Sequence, residues 1–131
     1  MIGLDTNVLV RYIMQDDASQ AAQAEAVMDA LTRDQPGFIS LVSIVEIVWV
    51  LTSCYDLQRD QVSRVLDQIL NTEELIVDRA EDVWRALRIY QSSNADFADC
   101  LIERTAQAAG CSHTVTFDIR ASKAAGMVLL K

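Results

Sequence analysis

The sequence predicts an α/β fold, a three-layer α/β/α arrangement with a central parallel sheet of four to five strands. Short apolar runs alternate along the chain with longer segments of helical periodicity, which is typical of β–α units around a parallel sheet. The chain has 131 residues, of which 51% are hydrophobic, enough for one compact core. It has one Pro and four Gly and shows no linker or repeat, so residues 1–131 are predicted to form a single domain.

The elements follow from these runs and from the turn residues beside them. Apolar runs predict strands, and segments rich in helix formers predict helices. The predicted strands are residues 2–4, 38–39, 75–77, 113–118 and 127–130. The predicted helices are residues 8–14, 19–33, 43–55, 59–70, 79–90, 96–109 and 119–125. Three of these units are predicted to end at Pro36-Gly37, Gly110 and Gly126.

The helices differ in how clearly they show an apolar face. Residues 19–33 have only a weak amphipathic pattern, and Ser40 or Ser43 is placed to cap the helix after the second strand. Helices 59–70 and 79–90 repeat apolar residues every three or four positions, which predicts one buried side. These residues are Val62, Val65, Leu66, Ile69, Val83, Trp84, Leu87 and Tyr90.

The segment from Ser43 to Tyr55 is apolar on nearly every side, which predicts a buried helix. Its β-branched residues also fit a strand, but its length favours a helix. Glu46 is its only charged residue, and helical spacing places Ser43 and Ser53 on the same side. Because an unpaired carboxylate in a core costs several kcal/mol, Glu46 is expected to meet a cation, a hydrogen-bond network or a cleft, unless it extends to the surface.

Two predicted strands end in an aspartate. Asp5 follows the apolar residues 2–4, and Thr6 or Asn7 is placed to cap the next helix. Asp118 ends the fourth predicted strand in the same way. Ligands of open α/β sheets bind at the carboxyl ends of the strands, so both carboxylates are candidates for a site. Asp5 can equally be only a turn or capping residue.

A further acidic group opens the helix at residues 96–109. Asp96, Asp99 and Glu103 share one face of this helix. Asp96 as N-cap and Asp99 in the first turn are favoured by the helix dipole, which gives both an ordinary structural explanation. That explanation is compatible with a second role, because a helix N-terminus also orients a carboxylate.

The acidic residues also dominate the charge. The formal net charge is −8, and without the five acids Asp5, Glu46, Asp96, Asp99 and Asp118 it would be −3. Such an acidic chain does not resemble a nucleic-acid-binding protein on charge alone, but it suits a basic protein partner. Carboxylates that lie close together repel one another unless a cation lies among them. Ligation by oxygen alone, without His or Cys, favours Mg²⁺ or Mn²⁺ over zinc.

A site of this kind suits phosphate chemistry. Divalent ions bridge phosphate oxygens, lower the pKa of water and offset charge on a leaving oxygen. No side chain of the sequence resembles a covalent nucleophile, so metal-activated water is the expected attacking group.

The other signals concern the cell compartment. Cys54, Cys100 and Cys111 are odd in number and lack CxxC spacing, so they are predicted to be free buried thiols of a cytoplasmic protein. His113 has no Cys or second His near it in sequence, which favours a structural role. No apolar run reaches about 18 residues, and no basic segment precedes an apolar one at the N-terminus. Neither a membrane helix nor a secretory signal is therefore expected.

Four segments resemble the acidic motifs of PIN domains, in particular those of the VapC-type toxins of bacterial toxin–antitoxin pairs. They are Asp5-Thr-Asn-Val-Leu-Val-Arg11, Glu46 within its apolar helix, Asp96-Phe-Ala-Asp99-Cys-Leu-Ile and Thr116-Phe-Asp118. Each motif is weak alone, but four in order along the whole chain form a fairly specific pattern. The resemblance implies a Mg²⁺-dependent endoribonuclease that acts on RNA, forms a homodimer and is silenced by a cognate antitoxin.

By this resemblance, Asp5, Glu46, Asp99 and Asp118 match the catalytic and metal-binding positions of the family. Asp99 stands directly before Cys-Leu-Ile and fits the third motif better than Asp96, which is assigned a supporting role.

The resemblance also implies residues that act around the acids. Asn7 and Thr116 would orient the carboxylates. Glu103-Arg104 stands where the family often has small residues, which would change the charge of the groove or the choice of substrate. The candidate phosphate contacts are Arg11, Arg104 and Arg120, although each can be an ordinary surface charge.

Two other functions fit parts of the sequence. A phosphatase of the haloacid-dehalogenase type also has an Asp at the end of its first strand. It requires a second Asp two residues later, where this chain has Asn7, and a Lys, whereas the only lysines are Lys123 and Lys131. A non-catalytic PIN-like module, whose acids only bind a partner, is also compatible with the sequence, although the presence of all four acids argues against it.

Overall fold

The computed structural model describes residues 1–131 as seven helices and five short strands. The helices are α1 (Thr6–Met14), α2 (Ala18–Ala30), α3 (Leu41–Ser53), α4 (Arg59–Leu70), α5 (Ala80–Ser92), α6 (Phe97–Ala108) and α7 (Ile119–Ala124). The strands are β1 (Ile2–Gly3), β2 (Gly37–Ile39), β3 (Leu75–Val77), β4 (Val115–Thr116) and β5 (Val128–Leu129). The chain forms two compact units, residues 1–78 and 79–131, which are described in turn.

The first unit contains a parallel sheet with the strand order β1-β2-β3. Gly37 of β2 is paired with Ile2 of β1 and with Leu75 of β3. The ladder continues beyond β1, because the Leu4 N–H donates to the Phe38 carbonyl at 2.9 Å. Parallel neighbours need crossover connections, and α1 to α4 lie between these strands in the chain.

The second unit contains the parallel pair β4-β5, which is joined by α7. The five strands therefore form a three-stranded ladder and a two-stranded ladder, all with parallel pairing. The predicted α/β class is confirmed. The strands are shorter than predicted, most clearly at residues 113–118, of which only Val115–Thr116 form a strand.

Each unit has its own set of fully buried apolar side chains. In the second unit, the rings of Tyr90 and Phe97 pack edge to face with their centroids 5.7 Å apart, and this contact joins α5 to α6. The fully buried side chains of the first unit include Ile39, Ile44, Ile47, Leu51, Val62 and Leu66. Those of the second unit include Val83, Leu87, Phe97 and Cys100.

Helix α3 differs from the helix predicted for residues 43–55. It begins at Leu41, where Ser40 is the N-cap and its Oγ accepts from the Ser43 N–H at 3.2 Å. It is not buried on every side, because Val42 and Trp49 are 76% and 61% exposed. The prediction failed because apolar residues also occupy protein surfaces, so an apolar composition does not by itself show which face is covered.

Helix α2 ends at Ala30, three residues before the predicted end. Leu31 has extended backbone angles, and a turn follows in which the Thr32 Oγ1 accepts from the Gln35 N–H at 3.0 Å. A threonine side chain that bonds to nearby backbone competes with helix continuation, which explains the early end.

The three cysteines are free, as predicted, but only Cys100 is buried. Cys54 and Cys111 are exposed, so the prediction of buried thiols is wrong for these two. Cys54 is the C-cap residue of α3, and Cys111 lies beyond the end of α6 at Ala108, so neither belongs to a helix face that packs into the core. The seven helices include none with the length and apolar character that a membrane crossing requires.

Gly37 provides a test of packing in the sheet. A Cβ at this position would lie 2.7 Å from Leu4 Cδ1 and 3.0 Å from Leu31 Cδ1, and both leucines are buried. Gly37→Ala is therefore expected to lower the free energy of unfolding by roughly 1–2 kcal/mol through overpacking, as measured by urea denaturation. Gly3→Ala is the matched control, because no atom lies within 4 Å of a Cβ there. Equal losses in the two variants would contradict the packing explanation.

Candidate active site

Asp5 lies at the carboxyl end of β1 and is the N-cap of α1. Its Oδ1 accepts a hydrogen bond from the Thr6 N–H at 2.8 Å. The predicted caps Thr6 and Asn7 lie inside the helix instead, because α1 begins at Thr6 rather than at Val8. The capping bond uses Oδ1 and leaves Oδ2 of Asp5 without a protein donor.

A cleft of about 480 Å³ lies between α1 and α3. Its walls include Asp5, Asn7, Arg11, Glu46 and Tyr55. Glu46 is exposed and faces this cleft. Of the surroundings expected for its carboxylate, which were a cation, a hydrogen-bond network, a cleft or the surface, the structure shows a cleft. The two candidate acids of the first unit therefore line the same open space.

Arg11 takes part in a network of polar side chains at the edge of this cleft. Its Nε donates to Gln20 Oε1 at 2.6 Å, and its Nη1 donates to the Tyr55 hydroxyl at 3.0 Å and to Asp16 Oδ1 at 3.4 Å. The Tyr55 hydroxyl in turn donates to Asp16 Oδ2 at 2.6 Å. This last bond lowers the pKa of Asp16 and raises the pKa of Tyr55. Asp16, Gln20 and Tyr55 are functional-site neighbours that the sequence did not indicate.

In the second unit, Asp118 follows β4 and is the N-cap of α7. Its Oδ1 accepts from the Arg120 N–H at 2.8 Å and from the Ala121 N–H at 3.2 Å. Its own N–H donates to Thr116 Oγ1 at 3.0 Å. Thr116 therefore holds the backbone of Asp118 rather than its carboxylate.

Asp96 and Asp99 lie at the start of α6. Asp96 is the N-cap, as predicted, and its Oδ1 accepts from the Asp99 N–H at 3.3 Å. Burial raises the pKa of Asp99, and the charges of Asp96 and Asp118 raise it further, while Arg120 lowers it. The Asp99 carboxylate therefore lies in the negative field of two neighbouring aspartates.

The other two candidate phosphate contacts differ in exposure. Arg104 is half-buried, and its Nε is a buried atom without a hydrogen-bond partner. The same is true of Oε2 of the adjacent Glu103. Unpartnered buried polar atoms are costly, and the Arg104 Nε does not face solvent as a phosphate contact would. Arg120 is exposed, so its guanidinium can reach a ligand from outside.

The carboxylates of the two units fit a hard divalent cation by chemical type. Asp5 and Glu46 in the first unit and Asp96, Asp99 and Asp118 in the second supply oxygen donors without thiolate or imidazole. The raised pKa of Asp99 shows that its surroundings disfavour a further negative charge, which a cation would relieve. Neither unit contains a group of three or more His, Cys, Asp or Glu side chains arranged to hold a metal, so the four-acid centre stays a prediction.

Comparison with known proteins agrees with the resemblance inferred from the motifs. A model of the PIN domain family matches residues 2–127. The chain is also 25% identical over 120 residues to a VapC ribonuclease of Aquifex aeolicus (strain VF5), a match that covers 92% of this chain and 89% of that protein. The family match spans nearly the whole chain and includes all four acidic motifs.

Asp99→Asn is expected to raise the thermal midpoint (Tm) of the metal-free protein at neutral pH. The fold raises the pKa of Asp99, so the stability associated with its neutral form is lost as the pH rises through the folded-state pKa. The uncharged amide avoids that loss. Melting curves in EDTA should show a gain at about pH 7 that disappears near pH 3, where the wild-type carboxyl is also neutral.

The control for this measurement is Asp29→Asn, which makes the same change in net charge at an exposed position of α2. A gain in Tm for Asp99→Asn that does not exceed the control, or that persists unchanged at low pH, would contradict the charge explanation.

Proposed function

We propose that this chain, which belongs to the PIN domain family, is a metal-dependent endoribonuclease of the VapC toxin type. Its similarity to a VapC ribonuclease along 92% of its length supports this function. The family model spans both compact units, which supports the view that residues 1–131 act as a single PIN domain.

The proposed catalytic centre combines Asp5 and Glu46 with Asp99 and Asp118, and Asp96 has a supporting role. The observation that supports the pairing of Asp99 with Asp118 is the raised pKa of Asp99, to which burial and the charges of Asp96 and Asp118 contribute. Asp5 and Glu46 are included because they line one cleft. Grouped like charges oppose folding unless a cation offsets them. A metal-binding function therefore explains an arrangement that is unfavourable for stability alone.

Mg²⁺ is the proposed cofactor, and Mn²⁺ would fit the same donors. Every proposed ligand is a carboxylate oxygen, the donor that both ions accept. When bound, the ion would lower the pKa of a water molecule and offset negative charge on the phosphodiester. Hydrolysis then adds the water oxygen to phosphorus, breaks one P–O ester bond and transfers a proton to the leaving oxygen.

The residues of the chain would keep these carboxylates in place. Asp5 and Asp118 each accept backbone N–H groups of the helix that follows, which restricts their side-chain rotation. Thr116 holds the backbone of Asp118, and Asn7 lines the cleft beside Asp5 and Glu46. We assign Asn7 and Thr116 supporting roles, because groups around a metal ligand commonly set its orientation.

The VapC type also implies partners. The proposed substrate is RNA, and the proposed inhibitor is a cognate antitoxin protein. A net charge of −8 favours a basic partner surface. A homodimer and a cytoplasmic location are proposed on the same premise.

The alternative is a non-catalytic PIN-like module. Such a module would bind its partner without cleaving RNA, so an RNA-cleavage assay distinguishes it from the proposed nuclease. The haloacid-dehalogenase alternative is not supported, because the family match is to PIN domains.

The wild-type chain is expected to cleave single-stranded RNA in the presence of Mg²⁺ or Mn²⁺ and to lose this activity in EDTA. Asp5→Ala should lower the rate at saturating RNA by about 100-fold or more, because metal-ion catalysis contributes several kcal/mol to lowering the barrier. Electrophoresis of labelled RNA measures both effects.

Asp67→Ala is the control, since Asp67 is exposed on α4 and lies outside the acidic groups. Its cleavage rate is expected to equal that of the wild type. Cleavage that persists in EDTA and in Asp5→Ala would exclude the metal mechanism, and absence of cleavage by the wild type would favour the non-catalytic module.

A further inference from the structure

A second cavity adjoins the acidic cleft. It has a volume of about 270 Å³, lies between α1 and α2, and shares Asn7 and Arg11 with the cleft. Its other polar walls are the side-chain amides of Gln20 and Gln23. Its apolar walls are Val8, Ala24 and Val27. No carboxylate lines this cavity, so it differs from the cleft in offering amide groups and one guanidinium.

Arg11 is held in a fixed orientation at the wall between the two spaces. A guanidinium has five N–H donors. Its Nε bonds to Gln20, and its Nη1 bonds to Tyr55 and Asp16, which leaves both N–H groups of Nη2 for a ligand. A preoriented guanidinium loses little side-chain entropy when it binds a phosphate. The network at the cleft edge therefore prepares Arg11 for an anionic group.

The amides around Arg11 have spare hydrogen-bonding capacity. Gln23 makes only a 3.5 Å contact with Ser19 Oγ, which is longer than an ordinary hydrogen bond. Gln20 uses its oxygen for Arg11, and its amide nitrogen remains a donor. A side-chain amide both donates and accepts, and this matches the exposed base edges of single-stranded RNA.

The size of the cavity limits what it can bind. A volume of 270 Å³ lies below the roughly 300–1,000 Å³ of pockets that hold a complete small molecule. It therefore suits one unit of a longer ligand that continues into the adjoining cleft. Its walls combine one guanidinium with side-chain amides, groups that can contact a phosphate and the edge of a base, so a nucleotide matches the cavity.

We infer that this cavity, here named the amide subsite, binds one nucleotide of the RNA strand beside the phosphate that is cleaved. In the amide subsite, Nη2 of Arg11 contacts a backbone phosphate, and the amides of Gln23 and Asn7 contact the base. Tyr55 is a positioning residue that acts through Arg11. The inference rests on the proposed function, since it takes single-stranded RNA as the substrate.

Gln23→Ala tests the base contact. The probe is a fluorescein-labelled single-stranded RNA oligonucleotide with Mg²⁺, and all proteins carry Asp5→Asn so that the strand stays intact. Fluorescence anisotropy should show a Kd about fivefold higher in Gln23→Ala, the factor that one lost hydrogen bond produces. Gln68→Ala is the matched control, because Gln68 is an exposed helical glutamine that lines a different cavity, and its Kd should equal that of the parent.

Arg11→Ala and Tyr55→Phe test the phosphate contact. Loss of one phosphate contact on a single strand lowers the slope of log K against log salt concentration by about 0.7, which is the result expected for Arg11→Ala. Tyr55→Phe keeps the charge but removes the hydroxyl that orients Arg11. In the Asp5→Asn background it should raise the Kd and leave the salt slope as in the parent. In a chain that keeps Asp5, Tyr55→Phe should raise the KM for RNA cleavage and leave kcat as in the wild type. A purely structural network would instead lower the Tm of both variants and leave the slope unchanged.

The outcomes separate this inference from the proposed function. Equal Kd values for Gln23→Ala and Gln68→Ala, or an unchanged slope in Arg11→Ala, would overturn the amide subsite even though a chain with Asp5 still cleaves RNA. A chain that neither binds nor cleaves RNA would overturn both. A Gln23→Ala variant that keeps its RNA affinity but loses affinity for a protein partner would assign the cavity to that partner and overturn the inference.

Discussion

Helix N-termini hold the aspartates around which this chain is arranged. Asp5 caps α1, Asp96 caps α6 and Asp118 caps α7. The N–H groups of a first helical turn and the positive end of the helix dipole both stabilise a carboxylate. They offset part of the repulsion that arises when acids lie near one another. Capping and metal binding are therefore compatible roles, because capping uses one side of a carboxylate and orients the other.

This constraint also explains which parts of the fold could be read from the sequence. A strand followed by an aspartate and a helix is a local pattern, and so is a helix with one apolar side, such as α4, which is observed at the predicted residues Arg59–Leu70. The surroundings of α3 are not local. Val42 and Trp49 are exposed although their neighbours in sequence are apolar, and only the packing of other elements determines which side of a uniformly apolar helix is covered.

In the candidate site too, the sequence predicted the local features but not the contacts between distant residues. That Asp5 and Glu46 would line one cleft was predictable, because a strand end and an isolated charge in an apolar helix both indicate a site. The partners of Arg11 were not predictable. Asp16 and Tyr55 are 39 positions apart, and their bond depends on side-chain rotamers and on how α1 packs against α3. In the sequence, Asp16 marks only a break between two helices, and Tyr55 marks only the end of a third.

The charges of the chain also limit how it would recognise the proposed RNA substrate. Several arginines are already paired with carboxylates, in the pairs Arg11–Asp16, Arg33–Glu73, Arg64–Asp60, Arg79–Asp82 and Arg85–Glu81. Surface pairs of this kind contribute little to stability, but they neutralise cations that would otherwise attract a polyanion. With a net charge of −8, long-range attraction of RNA is unfavourable. On the proposed function, affinity for RNA would then come from short-range contacts, namely a bound divalent ion and an oriented guanidinium with amides beside it. Of these contacts, only those of the amides with a base would discriminate between nucleotides, because phosphate contacts position a strand without reading its bases. The selectivity of the proposed nuclease would therefore depend on the amides.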